Sequence, residues 1–244
     1  MAAEPKSPTR REEASVDAPR STGAEVEAFL ERLQTVVPVS SGGRGRLIFA
    51  MDATMSRQPT WDLALGLQAD MFRAVNEVGG LDVQLVYFRG FDETRASKWV
   101  SDPEALARLM TRVSCQGGYT QIRKVLAHAR REAERSKVNA VVYVGDCMEE
   151  DIDELGQRAG KLGLLGVPMF LFQEGGDAKA ALAFKEIARL TRGAYCRFDA
   201  GSARQLRELL AAVAVYATGG HKALRDYGAA TNSDAAVRLL EQLT

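Results

Sequence analysis

The sequence holds few of the side chains that redox, zinc or nucleic-acid chemistry draws on. Of its 244 residues only three are cysteine and two are histidine. Cys115, Cys147 and Cys196 form no CxxC pair, and His128 and His221 stand far from them in the chain. A zinc site of the Cys/His type is not readily assembled from such a set. Three scattered thiols suit a reducing compartment, so a cytoplasmic protein with buried or half-buried cysteines is expected. Net charge is lacking as well, because 32 basic side chains balance 32 acidic ones. A neutral chain has no electrostatic footprint for nucleic acid. No apolar run approaches the roughly 18 residues of a membrane span, and no membrane partner is expected. The stretch MAAEPKSPTRREEA is charged and has no apolar core, so no signal peptide is expected.

What is present is ordinary for a soluble globular chain, with 46% hydrophobic and 26% charged residues. At this length folding buries about 70% of the unfolded surface, enough for a core without disulfides or structural metal. Residues 1–22 mix Pro, Ser, Glu and Arg with almost no large apolar side chains, which predicts a disordered tail. Ala24 to Val37, within residues 23–43, places Val26, Phe29, Leu30, Leu33 and Val36 at helical spacing, and Ser40 to Gly43 follows as a linker.

From Arg46 strands and helices alternate. Leu47–Met51 and Ala140–Val144 are short continuous apolar runs, as two-sided burial in a parallel sheet requires. Val83–Phe88, Val167–Phe172 and Ala194–Phe198 read as further strands, and Lys98–Val100 as a short edge strand. Helices are expected over Trp61–Val78, Asp102–Arg112 with Ser101 as cap, Gln121–Ser136, Ile152–Leu162, Ala178–Thr191 and Ala203–Ala217. The order predicts a three-layer αβα domain over residues 44–218, a doubly wound, mostly parallel sheet. Residues 219–244 form an extension in which Val237, Leu239, Leu240 and Leu243 suggest a short helix.

In such sheets ligands bind beyond the carboxyl ends of the strands. The two most apolar strands each lead to an aspartate there, Asp52 and Asp146. Two carboxylates brought together lose solvation and repel, and a bound cation makes that tolerable. In Asp52-Ala53-Thr54-Met55-Ser56, alternation on an extended loop would aim Asp52, Thr54 and Ser56 at one point. The loop Gly117-Gly118-Tyr119-Thr120 adds a hydroxyl, its glycines allowing a close backbone approach. Asp52, Thr54, Ser56, Thr120 and Asp146 are all oxygen donors, which describes a hard divalent cation such as Mg²⁺. Taken singly, Asp52, Ser56 and Thr120 also fit helix caps, and Asp146 an Asx-turn. The run Glu149-Glu150-Asp151-Asp153-Glu154 reads as a solvated helix start. Met55 and Met148 could form an apolar rim, Trp61 packs, and His128 is structural. Cys147 has no histidine placed to activate it as a nucleophile.

Asp-x-Thr-x-Ser after the first strand, Thr120 in GGYT and Asp146 after VVYVG resemble the metal-ion-dependent adhesion site of von Willebrand factor type A domains. The match spans roughly Arg46 to Ala217 and is nearest to small bacterial single-domain members. The resemblance implies strand order 3-2-1-4-5-6 with one short antiparallel edge strand. It also implies Mg²⁺ or Mn²⁺ held by Thr54, Ser56 and Thr120, with Asp52 and Asp146 close to it or bound through water. Thr54 stands where serine is commoner, and Met55 where glycine is frequent. The implied function is a protein-interaction module in which an Asp or Glu of a partner, such as a chaperone or AAA+ ATPase, completes the metal. The alternative is a haloacid dehalogenase-like phosphatase, with Gly145-Asp146 and Glu150 or Asp151 as its later motif. That chemistry needs a second Asp where this chain has Thr54.

Overall fold

A computed structural model describes residues 44–75, 79–198 and 203–231. The expected tail, the Ala24–Val37 helix, the end of the first helix at Val78 and the Val237–Leu243 helix lie outside the described residues.

One six-stranded sheet, order β3-β2-β1-β4-β5-β6, carries the chain. Its strands are β1 (Gly45–Asp52), β2 (Leu81–Arg89), β3 (Glu93–Ala96), β4 (Ala140–Gly145), β5 (Met169–Glu174) and β6 (Ala194–Phe198). All neighbours pair in parallel except β2 with β3. The helices are α1 (Gln58–Val75), α2 (Pro103–Met110), α3 (Ile122–Arg135), α4 (Ile152–Leu164), α5 (Ala178–Thr191) and α6 (Ala203–Ala230). The expected αβα architecture and strand order are both found.

The continuous apolar character of β1 follows from burial on both faces. Leu47, Phe49 and Met51 pack against α1, α2 and α6, while Ile48 and Ala50 face α3, α4 and α5. Each large side chain so buried is worth about 1.5–3 kcal/mol relative to exposure, which fixes strand register, since a one-residue slip would exchange the two faces. Trp61 is buried as expected, its indole N–H donating to the Met110 carbonyl at 3.1 Å.

Three local expectations are corrected. The edge strand lies at Glu93–Ala96 rather than Lys98–Val100, and Val100 only bridges Val83. The cap of α2 is Asp102, whose carboxylate accepts the Ala105 N–H at 2.8 Å, while the Ser101 hydroxyl donates to Asp82. The last helix runs past Ala217. It breaks at Gly220, where φ is 65° and ψ is −157°, then resumes, and Leu224 beyond the break is buried in the same core as Leu210 and Val213. A left-handed φ at this position is open to glycine at little cost.

Candidate metal centre

Because β1 and β4 pair in parallel, with Met51 opposite Val144, their carboxyl ends lie side by side. Asp52 closes β1 and Asp146 follows the end of β4. Asp52 has no solvent exposure. Its Oδ1 accepts the backbone N–H of Thr54 at 2.7 Å, and its Oδ2 accepts no hydrogen bond. The Ser56 hydroxyl donates to Asp146 Oδ2 at 2.8 Å, and Asp146 Oδ1 is a second buried oxygen without a hydrogen bond. Burial pushes the Asp52 carboxyl up to about 7; the Thr54 amide and hydroxyl draw it back, Asp146 raises it further and Arg57 lowers it.

The loop after β1 is not extended throughout. Thr54 is extended, but Met55–Arg57 is a 3-10 turn that leads into α1. The turn still brings Ser56 back to Thr54, with their hydroxyl oxygens 3.4 Å apart. Thr120 reaches the same place because Gly118 lets its loop lie on the β2–β3 turn. A Cβ at Gly118 would stand 1.9 Å from the Gly90 carbonyl oxygen, whereas one at Gly117 would meet nothing. Thr120 does not cap α3. It pairs with Glu149 instead, its N–H donating to Glu149 Oε2 at 2.9 Å and its hydroxyl accepting the Glu149 N–H at 3.2 Å. These loops enclose a depression of about 220 Å³ whose lining includes Thr54, Ser56, Thr120, Cys147 and Glu149.

The acidic run after Asp146 is not a plain solvated helix start. The Glu150 carboxylate accepts the N–H groups of Ile122 and Arg123 at 2.5 and 3.1 Å, so it serves the amino terminus of α3 rather than that of its own helix. Asp151 caps α4 through the Glu154 N–H at 2.8 Å. Met148 is buried in the core and forms no rim. The exposed apolar groups beside the depression are Met55, 63% exposed, and the pair Phe91 and Tyr119, whose rings meet edge to face at 5.5 Å.

Two neighbours of the site went unread in the sequence, and a third was read only as an unactivated thiol. Arg57, 2% exposed, lies with its guanidinium 3.8 Å from Asp146 Oδ2 and in contact with Glu174, which also receives the Thr60 hydroxyl. Arginine is among the residue types least often buried, so nothing local marks it. Glu174 carried a signal: extending β5 by two residues puts a third carboxylate at a strand end. Cys147 is the third. Its sulfur and the carboxylate oxygens of Asp52 and Asp146 all lie within 4.8 Å of one another. Burial and then Asp146 push its thiol well above the usual range, which makes it a poor nucleophile. His128 bonds to Gln84 at 2.8 Å.

No protein-family model matches this sequence, and no curated protein matches it. Solved structures do. A von Willebrand factor type A protein from Catenulispora acidiphila aligns over 71% of this chain and 43% of its own, at 16% identity and TM-score 0.57. The SpRpn10 VWA domain aligns over 70% of this chain and 95% of its own, at 11% identity and TM-score 0.54. This chain has the von Willebrand factor type A fold. Proximal thread matrix protein 1 from the mussel byssus, solved with a zinc-occupied MIDAS motif, aligns at 19% identity and TM-score 0.58, over 72% of this chain and 47% of its own. The chain thus spans less than half of the Catenulispora and mussel proteins and nearly all of the isolated VWA domain. In the type A frame the depression sits at the strand ends between β1 and β4. Among the described residues no helix is long and apolar enough to cross a membrane.

Proposed function

We propose that this type A domain is a divalent-cation-dependent protein-interaction module, with Asp52, Thr54, Ser56, Thr120 and Asp146 holding the ion. The observation that carries the reading is the pair of buried, unpartnered carboxylate oxygens, Asp52 Oδ2 and Asp146 Oδ1, beside a depression that reaches solvent. Buried polar atoms without partners are rare in folded proteins, and one bound ion would satisfy both. The charges agree. Asp52, Asp146 and Glu174 outnumber Arg57, so the site carries a formal negative excess that a bound cation would offset. The oxygen donors by themselves suit Mg²⁺ or Mn²⁺, and the mussel protein's zinc-occupied motif supports a divalent ion in this frame.

The ion would supply an electrophilic centre open on the solvent side, where a partner's Asp or Glu can complete it. Met55, Phe91 and Tyr119 offer apolar contact around that point, and Glu149 at the rim disfavours a strongly acidic surface. The partner therefore presents one carboxylate in an apolar or basic setting; a chaperone or AAA+ ATPase is the kind the sequence resemblance implies. We place the module in the cytoplasm on the strength of its three thiols.

Phosphoryl transfer is the weaker reading. Glu150 and Asp151, its candidate later acids, are spent on the amino termini of α3 and α4, and Thr54 is no general acid–base. The test is affinity capture with and without divalent ion, comparing the natural chain with Asp146→Ala. Capture of a partner that needs both the ion and Asp146 is expected. Capture indifferent to chelator, or ion-dependent hydrolysis of phosphate esters lost in Asp52→Asn, would overturn the reading.

A further inference from the structure

The five oxygen donors leave one neighbour unused. The Cys147 sulfur stands within 4.8 Å of both site carboxylates and lines the same depression as Thr54, Ser56 and Thr120. A cysteine beside a sheet edge means little alone. Here it stands beside Asp52, a side chain without solvent exposure whose Oδ2 has no hydrogen-bond partner. We infer that Cys147 is a metal ligand and that it makes this site select a thiophilic divalent cation of the zinc class over Mg²⁺. The inference rests on the metal-site reading above and specifies which ion that site takes.

The argument is one of ligand softness and ligand number. Mg²⁺ seeks oxygen in near-octahedral array, keeps several waters, and gains little from sulfur. Zinc takes Cys, His and carboxylate ligands four at a time, and an open zinc site keeps three protein ligands and one free position. Asp52, Asp146 and Cys147 number three, and a partner's carboxylate would be the fourth; the hydroxyls of Thr54, Ser56 and Thr120, which an oxygen-seeking ion would use as ligands, would then surround the zinc without binding it. Zinc ligands at about 2.0–2.3 Å stand about 3.5 Å apart in a tetrahedron. The three atoms here, at most 4.8 Å apart, would close by about 1 Å through side-chain rotation. Cys147 has that freedom, since it is half-buried on a loop and its polar contacts are a 4.0 Å approach to Glu149 and one to Asp146, itself a ligand of the proposed site. On binding, the thiol gives its proton to solvent as the sulfur–metal bond forms, so uptake of the ion releases one proton from this residue.

The hydroxyls point the same way. Ser56 gives its proton to Asp146, and Thr120 already spends a lone pair on the Glu149 amide. Both retain acceptor capacity, but neither is as free as the two carboxylate oxygens. Arg57, 3.8 Å from Asp146, offsets part of the charge of a third anionic ligand.

Cobalt(II) is the probe, because a thiolate ligand gives it a near-ultraviolet charge-transfer band while its visible bands report binding through any donors. The full chain, stripped with chelator, is titrated with Co²⁺. A charge-transfer band is expected that is lost in Cys147→Ser and in Asp52→Asn. Stoichiometric Zn²⁺ should displace it, and Mg²⁺ in large excess should not. Cys147→Ser should weaken Zn²⁺ by at least about ten-fold, since even outer-shell groups are worth about 10–100-fold. Visible bands that need Asp52 without any charge-transfer band would overturn the role of Cys147 and leave the metal site standing. No cobalt uptake at all would overturn both. Circular dichroism of Cys147→Ser checks the fold independently of the metal.

Discussion

Asp52→Asn is expected to stabilise the metal-free protein at alkaline pH, although it removes a residue on which function depends. The Asp52 carboxyl, ordinarily near 3.8, is raised to about 7 in the native state by burial. The native state therefore keeps a proton through a pH window in which the unfolded chain has lost it. Stability follows the difference in bound protons. For this group it is full below about pH 4, falls as pH rises through the window, and is lost above about pH 7. Three units at 1.36 kcal/mol each come to about 4 kcal/mol. Asparagine keeps an oxygen to accept the Thr54 N–H, seen at 2.7 Å, and never ionises. In excess chelator the natural chain and the variant should unfold alike at about pH 3.5. At pH 8 the variant should be the more stable by up to about 4 kcal/mol, or roughly 10 °C in Tm at about 2–4 °C per kcal/mol. Urea or thermal unfolding followed by circular dichroism reads this directly. Divalent ion at a hundred times Kd should narrow that gap, adding about 2.7 kcal/mol to the natural chain and nothing to the variant. A variant less stable at pH 8 in chelator, or a gap that does not change with pH, would refute the reasoning.

Arg57→Met strips the guanidinium from Glu174 and leaves that carboxylate buried, which should cost about 3–5 kcal/mol in urea unfolding at neutral pH; Arg57→Met with Glu174→Gln should recover much of the loss. Gly118→Ala forces the Thr120 loop off the Gly90 carbonyl, so cobalt and zinc uptake should fall while core stability drops by about 1–3 kcal/mol. Serine at both Met55 and Tyr119 should weaken partner capture without changing metal uptake, since these exposed side chains offer contact area and no ligand.

The sheet was legible because its strands are buried on both faces. LIFAM and AVVYV announce central parallel strands, and the aspartates after them mark the edge where a ligand would sit. The edge strand was not legible for the converse reason. ETRA pairs on one side only, is not buried at any position, and sets charged Glu93 and Arg95 on one face against Thr94 and Ala96 on the other, so it lacks the apolar alternation that betrays a strand. Nearby Trp99 and Val100 carry that look but pack from a loop. The five oxygen donors were legible as residue types at strand ends. How they are tied together was not. That Ser56 is held by Asp146, that Glu150 crosses to α3, and that Arg57 is buried against Glu174 depend on contacts over 28 to 117 residues of chain. Cys147 was visible all along, but its bearing on the site follows only from the 4.8 Å that separates it from both carboxylates. The last helix was cut short because Thr218-Gly219-Gly220 looks like a terminator. Only Gly220 breaks the helix, and burial of Leu224 carries it onward.

The most direct test of the central claim is a calorimetric titration of chelator-stripped full chain with Zn²⁺ and, separately, Mg²⁺, for the natural sequence, Asp52→Asn and Asp146→Ala. The account predicts one divalent site in the natural chain that both substitutions abolish, because each removes one of the two carboxylates that carry a buried, unpartnered oxygen. Absence of any site in the natural chain, or a site that survives both substitutions, would contradict it.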